Sequence, residues 1–401
     1  MGVNFFCMGF DYNPFLCSHQ GFSVRYLLLF SFFIFTALEA KQPLENATCK
    51  ACHPIIFAEY QHSQHAKASI WSDPVHKAIW DKHPYKKQGK YTCAQCHTPS
   101  DHTLKGGKGL PTDNAAQIDE PISCQGCHRI ESIEEHAHAN RNVIQTKPKY
   151  FYSADVKRKG KKIIFHETSS FFGLFKKTTG SPYHDIDYSN DLFYTGKMCL
   201  GCHDHKQNGK GFSLCDLGVK QGGSKETCIS CHMPQKLGTK VNLKQTATHA
   251  YHGMTIHGGI PAELSRYIKL SLSTTSDGFA VILHNEATHT LFAQPLRLAQ
   301  LRVSIYRDGK TISLPPRTYV RVIGTRGKPS MPWLADTVLK DTSIKALETR
   351  EEHFDTVLKQ GDKVEMVLGY YLVNPKVAGK LGLEGDASTA FTVLTKKVVD
   401  F

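Results

Sequence analysis

Cys49-Lys50-Ala51-Cys52-His53 is the stretch on which the reading of this chain turns, because its pattern recurs. The same Cys-x-x-Cys-His spacing returns at Cys93, Cys96 and His97, at Cys124, Cys127 and His128, at Cys199, Cys202 and His203, and at Cys228, Cys231 and His232. Ten of the 13 cysteines are absorbed in this way. Two thiols at this spacing can add to the two vinyl groups on one edge of a haem, and the adjacent imidazole then reaches the iron as proximal ligand. Zinc half-sites compete for the same Cys-x-x-Cys unit, but they do not require a histidine directly after every pair. A disulfide across two intervening residues closes a strained ring. The pattern predicts five covalently bound c-type haems with His53, His97, His128, His203 and His232 on the iron.

Composition agrees. The chain has 401 residues, 40% hydrophobic and 21% charged, which suits two ordinary domains and excludes a disordered tail or a polytopic membrane protein. Its 49 basic against 36 acidic side chains give a net charge of +13. Five haems would bring two propionates each, so most of this charge is read as internal compensation, and no nucleic-acid partner is expected.

Arg25 precedes an apolar run from Tyr26 to Thr36, and Ala40 stands at its polar boundary. Residues 1–40 therefore read as a secretory signal peptide, with residues 1–23 a mis-called start. The run is too short for a bilayer span, so cleavage leaves no permanent membrane segment and the expected location is periplasmic.

The motifs crowd residues 41–260, leaving room for short helices and loops wrapped on a haem stack. The long gap at 129–198 holds a basic, aromatic insertion, Lys147 to Lys177. Beyond Pro261 there is no further cysteine. Runs such as Ile268–Ser273, Phe279–Leu283, Leu301–Tyr306, Tyr319–Ile323, Val364–Val373 and Ala390–Thr395 alternate and are separated by turn residues. They predict a small antiparallel β-sandwich over 261–401, interrupted by a helix near Thr342–Lys359. The expected class is thus α + β.

A haem with two imidazoles only passes electrons, whereas one with an open position can bind substrate. Cys52-His53-Pro54, Phe57, Tyr60, Ser63, His65 and Ala66 resemble the opening of the multihaem cytochromes of the cytochrome c-552/c-554 type. Cys228 to Pro234 and Thr248 to Gly253 are similar to their last haem motif, and Ala287 to Leu291 with Pro295 and Arg297 to the segment that returns a histidine to a haem. The third motif departs from that pattern, continuing as Arg129-Ile130. The resemblance implies distal ligands at His65, at His136 or His138, at His184, at His249 and at His289. It implies an electron carrier between a quinol dehydrogenase and a terminal reductase, with no catalytic residues assigned. The alternative is a multihaem oxidoreductase acting on a small nitrogen or sulfur species at one five-coordinate haem. Cys215, the odd thiol, reads as buried or idle.

Overall fold

The computed structural model describes residues 45–401 except 148, 171–174, 220–225 and 256–260. The signal-peptide reading of residues 1–40 and the boundary at 260 fall outside the described residues. Leu44–Phe401 forms one compact unit.

From 45 to 255 the secondary structure is short. Each motif sits in or against a single helical turn, as at Cys124–His128 and Cys228–His232. Ser123 caps the first of these from its hydroxyl, and Thr227 with Ser230 forms a reciprocal capping box on the second. The two longer helices, Pro54–His62 and Pro74–Lys82, both begin at proline, where the missing N–H costs nothing. Asp73 caps the second by accepting from Val75 N and His76 N. The described residues of the basic insertion contribute to small sheets. Tyr150–Tyr152 pairs parallel with Asp185–Asp187, which pairs antiparallel with Lys162–Ile163. The ribbon His166–Ser170 with Phe175–Thr179 lies alongside in sequence.

Of the strands in the C-terminal half, eight build its two main sheets: β1 (Ile268–Thr274), β2 (Phe279–Asn285), β3 (Leu298–Arg307), β4 (Lys310–Ser313), β5 (Arg317–Tyr319), β6 (Thr349–Phe354), β7 (Lys363–Tyr371) and β8 (Phe391–Asp400), while Arg321–Thr325, Lys328–Pro329 and Thr337–Asp341 form a small third sheet. One antiparallel sheet runs β1-β2-β6 and the other β4-β3-β7-β8, with β5 also on β3. Alternation decides which face is buried: Ala299, Leu301, Val303 and Ile305 point inward from β3, and Val364, Met366 and Leu368 from β7. They share one core with Phe279, Val281 and Leu283 of β2. The helix expected near Thr342–Lys359 is not formed. That region carries β6, whose Glu351 and His353 face outward while Phe354 enters the core, a two-residue period that a helix cannot satisfy. The helix of this half lies later, at Pro375–Leu381, where Ala378 and Leu381 pack with Val75, Ala78 and Ile79 of the helix Pro74–Lys82.

Candidate haem-binding site

All fifteen motif residues line one continuous cavity of about 2960 Å³. The eleven cysteines among the described residues are free thiols. Thiols of different motifs touch: Cys49 meets Cys124, Cys96 meets Cys202, and Cys199 meets Cys228. Cys127 is close enough to both Cys199 and Cys202 to disfavour their ionisation. The attachment points therefore form one connected set, first to third to fourth, with the second and fifth both joined to the fourth.

Glycine permits these approaches at two places. Gly196 adopts a left-handed conformation (φ +74°), and a Cβ there would lie 2.7 Å from the Cβ of Cys228. A Cβ on Gly201, inside the fourth motif, would run into Asn142, whose amide donates to Cys202 Sγ at 3.4 Å.

Each motif histidine faces one histidine from elsewhere in the chain. Ring centroids are 6.1 Å apart for His53 and His184, 6.0 Å for His203 and His65, 6.2 Å for His128 and His252, and 6.1 Å for His232 and His289. An iron held by two imidazoles at metal–nitrogen distances of about 2 Å separates the centroids by roughly 6 Å. The fifth pair, His97 and His76, is closer, at 4.0 Å.

Hydrogen bonds orient the rings. Nδ1 donates to a backbone carbonyl in His128 (Tyr152, 2.8 Å), His97 (Ala68, 3.2 Å), His252 (Ala250, 2.7 Å) and His289 (Thr290, 3.1 Å). His53 Nδ1 likewise meets the Lys240 carbonyl. A carbonyl only accepts, so Nδ1 carries the proton and Nε2 keeps the lone pair that a metal needs. Burial pulls His65 and His232 down to about 4 and His252 to about 3, which keeps these rings neutral near pH 7. Imidazole donors in pairs at iron-spanning distance, paired thiols and a shared cavity fit the covalent haems that the motifs imply.

The sequence-derived residues can now be placed. His65, His184 and His289 each stand opposite a motif histidine. His184 follows the insertion, immediately before the strand Asp185–Asp187, and the insertion's Tyr152 carbonyl steadies His128. His289 arrives on the loop between β2 and β3, where the buried Asn285 amide donates to the His289 carbonyl (3.1 Å) and the Lys345 carbonyl (2.8 Å).

The structure places the other sequence-derived histidines differently. His249 is buried on the short strand Thr248–Ala250, with Nδ1 on the Gly238 carbonyl and Nε2 on the Glu59 carboxylate at 3.0 Å. Both nitrogens face acceptors, so none is left for iron. Three residues on, His252 takes the cavity position. His136 and His138 are exposed and face each other at 5.9 Å, with His138 on the Gln207 side chain. They follow the strand Ile130–Glu134, and His138 lines the cavity. Sequence reading also passed over His76. Its signal is the spacing to Trp80, since both are buried on one helix face. Cys215 donates to the His203 carbonyl at 3.3 Å beside the fourth motif, and burial raises its thiol pKa.

Residues 48–129 match the family model described as cytochrome c554 and c-prime. That match takes in the first three Cys-x-x-Cys-His motifs. The fold is similar to that of a penta-haem cytochrome c552 from Thermochromatium tepidum. The TM-score is 0.66 at 22% identity, over 89% of this chain and 99% of that one. No curated protein matches the chain. Among the described residues no helix is long and apolar enough to cross a membrane.

Proposed function

We propose that the chain is an exported pentahaem c-type cytochrome that relays electrons between redox proteins of a periplasmic respiratory chain. The partners implied are a quinol dehydrogenase on one side and a terminal reductase on the other. Four histidine pairs at 6.0–6.2 Å around one cavity carry this reading. The cysteine pairs at 49 and 52, 93 and 96, 124 and 127, 199 and 202, and 228 and 231 would attach the haems. His53, His97, His128, His203 and His232 would hold the iron on one side. On the other, His184, His252, His65 and His289 would serve the first, third, fourth and fifth motifs. A bound c-type haem supplies one-electron ferric/ferrous chemistry. The chain's own part is to close the sixth position with a neutral, pre-oriented imidazole, to exclude water and to keep neighbouring attachment points in contact. In this reading 41–260 is the haem domain and 261–401 a domain that covers it and delivers His289.

One observation favours a second reading, a haem oxidoreductase acting on a small nitrogen or sulfur species. At 4.0 Å, His76 and His97 leave no space for an iron between them, and His76 Nε2 meets the Tyr91 hydroxyl at 3.2 Å. His76 would then be a hydrogen-bonding group above an open iron at the second motif.

EPR and optical spectra of the haem-loaded protein, with nitrite, hydroxylamine or carbon monoxide added, test both. Low-spin signals indifferent to added ligand support the relay. A ligand-responsive high-spin signal from one haem, abolished in Cys93→Ala/Cys96→Ala, establishes the second reading. Mass spectrometry showing fewer than five haems overturns the pentahaem count.

A further inference from the structure

Arg297 ends the segment that carries His289 and opens onto β3. Its backbone is pinned on both sides: Arg297 N donates to the Gln294 carbonyl at 3.0 Å, and the Leu296 carbonyl accepts from Asn374 N at 2.7 Å. The side chain is half-buried, and the surface it retains lines the haem cavity. Its Nε is buried without a hydrogen-bond partner. Its guanidinium carbon lies 6.0 Å from the Tyr370 ring centroid, an aromatic face rather than a carboxylate. Among the described residues it forms no ion pair. His203 and His289, which belong to the fourth and fifth pairs, both feel its charge.

A guanidinium with a buried, unpartnered Nε and no anion is costly, because desolvation of the charge is not repaid. Arginine also matches the planar, two-oxygen geometry of a carboxylate better than any other cation. The arrangement calls for an oxyanion inside the cavity. A haem attached at Cys199 and Cys202 or at Cys228 and Cys231 brings such groups, since each haem carries two propionates.

We propose that Arg297 binds a propionate carboxylate of the haem at the fourth or fifth motif and thereby raises that haem's reduction potential. This rests on the haem-binding reading above. Pairing the carboxylate with a fixed cation removes negative charge from the neighbourhood of the iron, which favours the ferrous state.

Haem-loaded wild type, Arg297→Gln and Arg297→Lys are to be compared by optical redox titration, with covalent haem counted by mass spectrometry in each. Unchanged haem content separates this question from haem binding itself. The expected result is that Arg297→Gln lowers the reduction equilibrium constant of one haem about tenfold, or about 59 mV for a one-electron couple. Arg297→Lys, which keeps the charge but not the fork, recovers part of that loss. Unchanged midpoint potentials in both variants overturn the proposal. A free anion is the competing source. If added acetate or phosphate shifts the wild-type potentials saturably and leaves Arg297→Gln unmoved, the guanidinium serves a soluble oxyanion and the propionate assignment falls. Should Arg297→Gln fail to accumulate, Arg297→Lys alone decides, with wild-type potentials overturning the bidentate pairing.

Discussion

Leu301, Val303 and Ile305 meet Val364, Met366 and Leu368 and pack on Phe279, Val281 and Leu283, a dry apolar interior of the ordinary kind. Between residues 45 and 255 the interior is a cavity lined by imidazoles and thiols, with one small apolar cluster at Ile70, Trp80, Tyr91, Ala94 and Leu104. The sandwich thus encodes its core in its own side chains, while the preceding segment encodes a shell and leaves the filling to prosthetic groups. The contrast teaches that a binary hydrophobic pattern reports a core only where the chain itself supplies the core atoms.

Withholding haem should break the molecule along this line, and it is the largest effect expected. Chain produced without haem attachment is expected to lose residues 45–255 to limited proteolysis while 268–401 survives, as mass mapping of fragments would show. Equal protection of both halves would erase the contrast. Next in size, Met366→Ala removes a fully buried side chain of β7 and should cost about 2–5 kcal/mol in guanidinium unfolding, with the Soret band unchanged.

Glu59→Ala probes the shell. Its carboxylate accepts from His249 Nε2 and from His252 N (2.9 Å), so it fixes the turn that presents His252. The loss should be about 1–3 kcal/mol, accompanied by a change in the low-spin EPR signal of one haem only. Changes at every haem would mean that Glu59 supports the whole shell. The smallest effect belongs to Asp362, which accepts from Arg307 at 2.6 and 2.8 Å. The guanidinium holds this carboxyl down to about 2. Its stabilisation is fully present above the unfolded pKa near 4 and fades as pH falls toward 2. Asp362→Asn should therefore lower stability most at neutral pH and least below about pH 2, which flattens the acid limb of the sandwich's stability curve.

The same contrast explains what was legible. Strands β2, β3 and β7 declare themselves by alternation, and the proximal histidines by adjacency to their cysteines, because both signals are local. The distal side depends on long-range meetings. His249 and His252 are three residues apart and chemically identical, and only the strand that commits His249 to Glu59 separates them. His76 needed the knowledge that the buried face of its helix turns toward His97. The strand β6 was misread because it is rich in charge: Glu351, Glu352 and His353 pattern like a solvated helix, yet pairing with β2 overrides that preference.

The loop bearing His289 gives assembly a direction in time. The ribosome releases the fifth motif well before Asn285 and the Lys345 carbonyl that its amide holds, so the position opposite His232 is filled only after a further hundred or so residues have been made. On the proposed reading, a chain cut short after the last motif would carry every anchoring cysteine and still leave one iron open to solvent and oxygen. The sandwich would then sign off the molecule, tying closure of the last redox centre to synthesis of the segment beyond it.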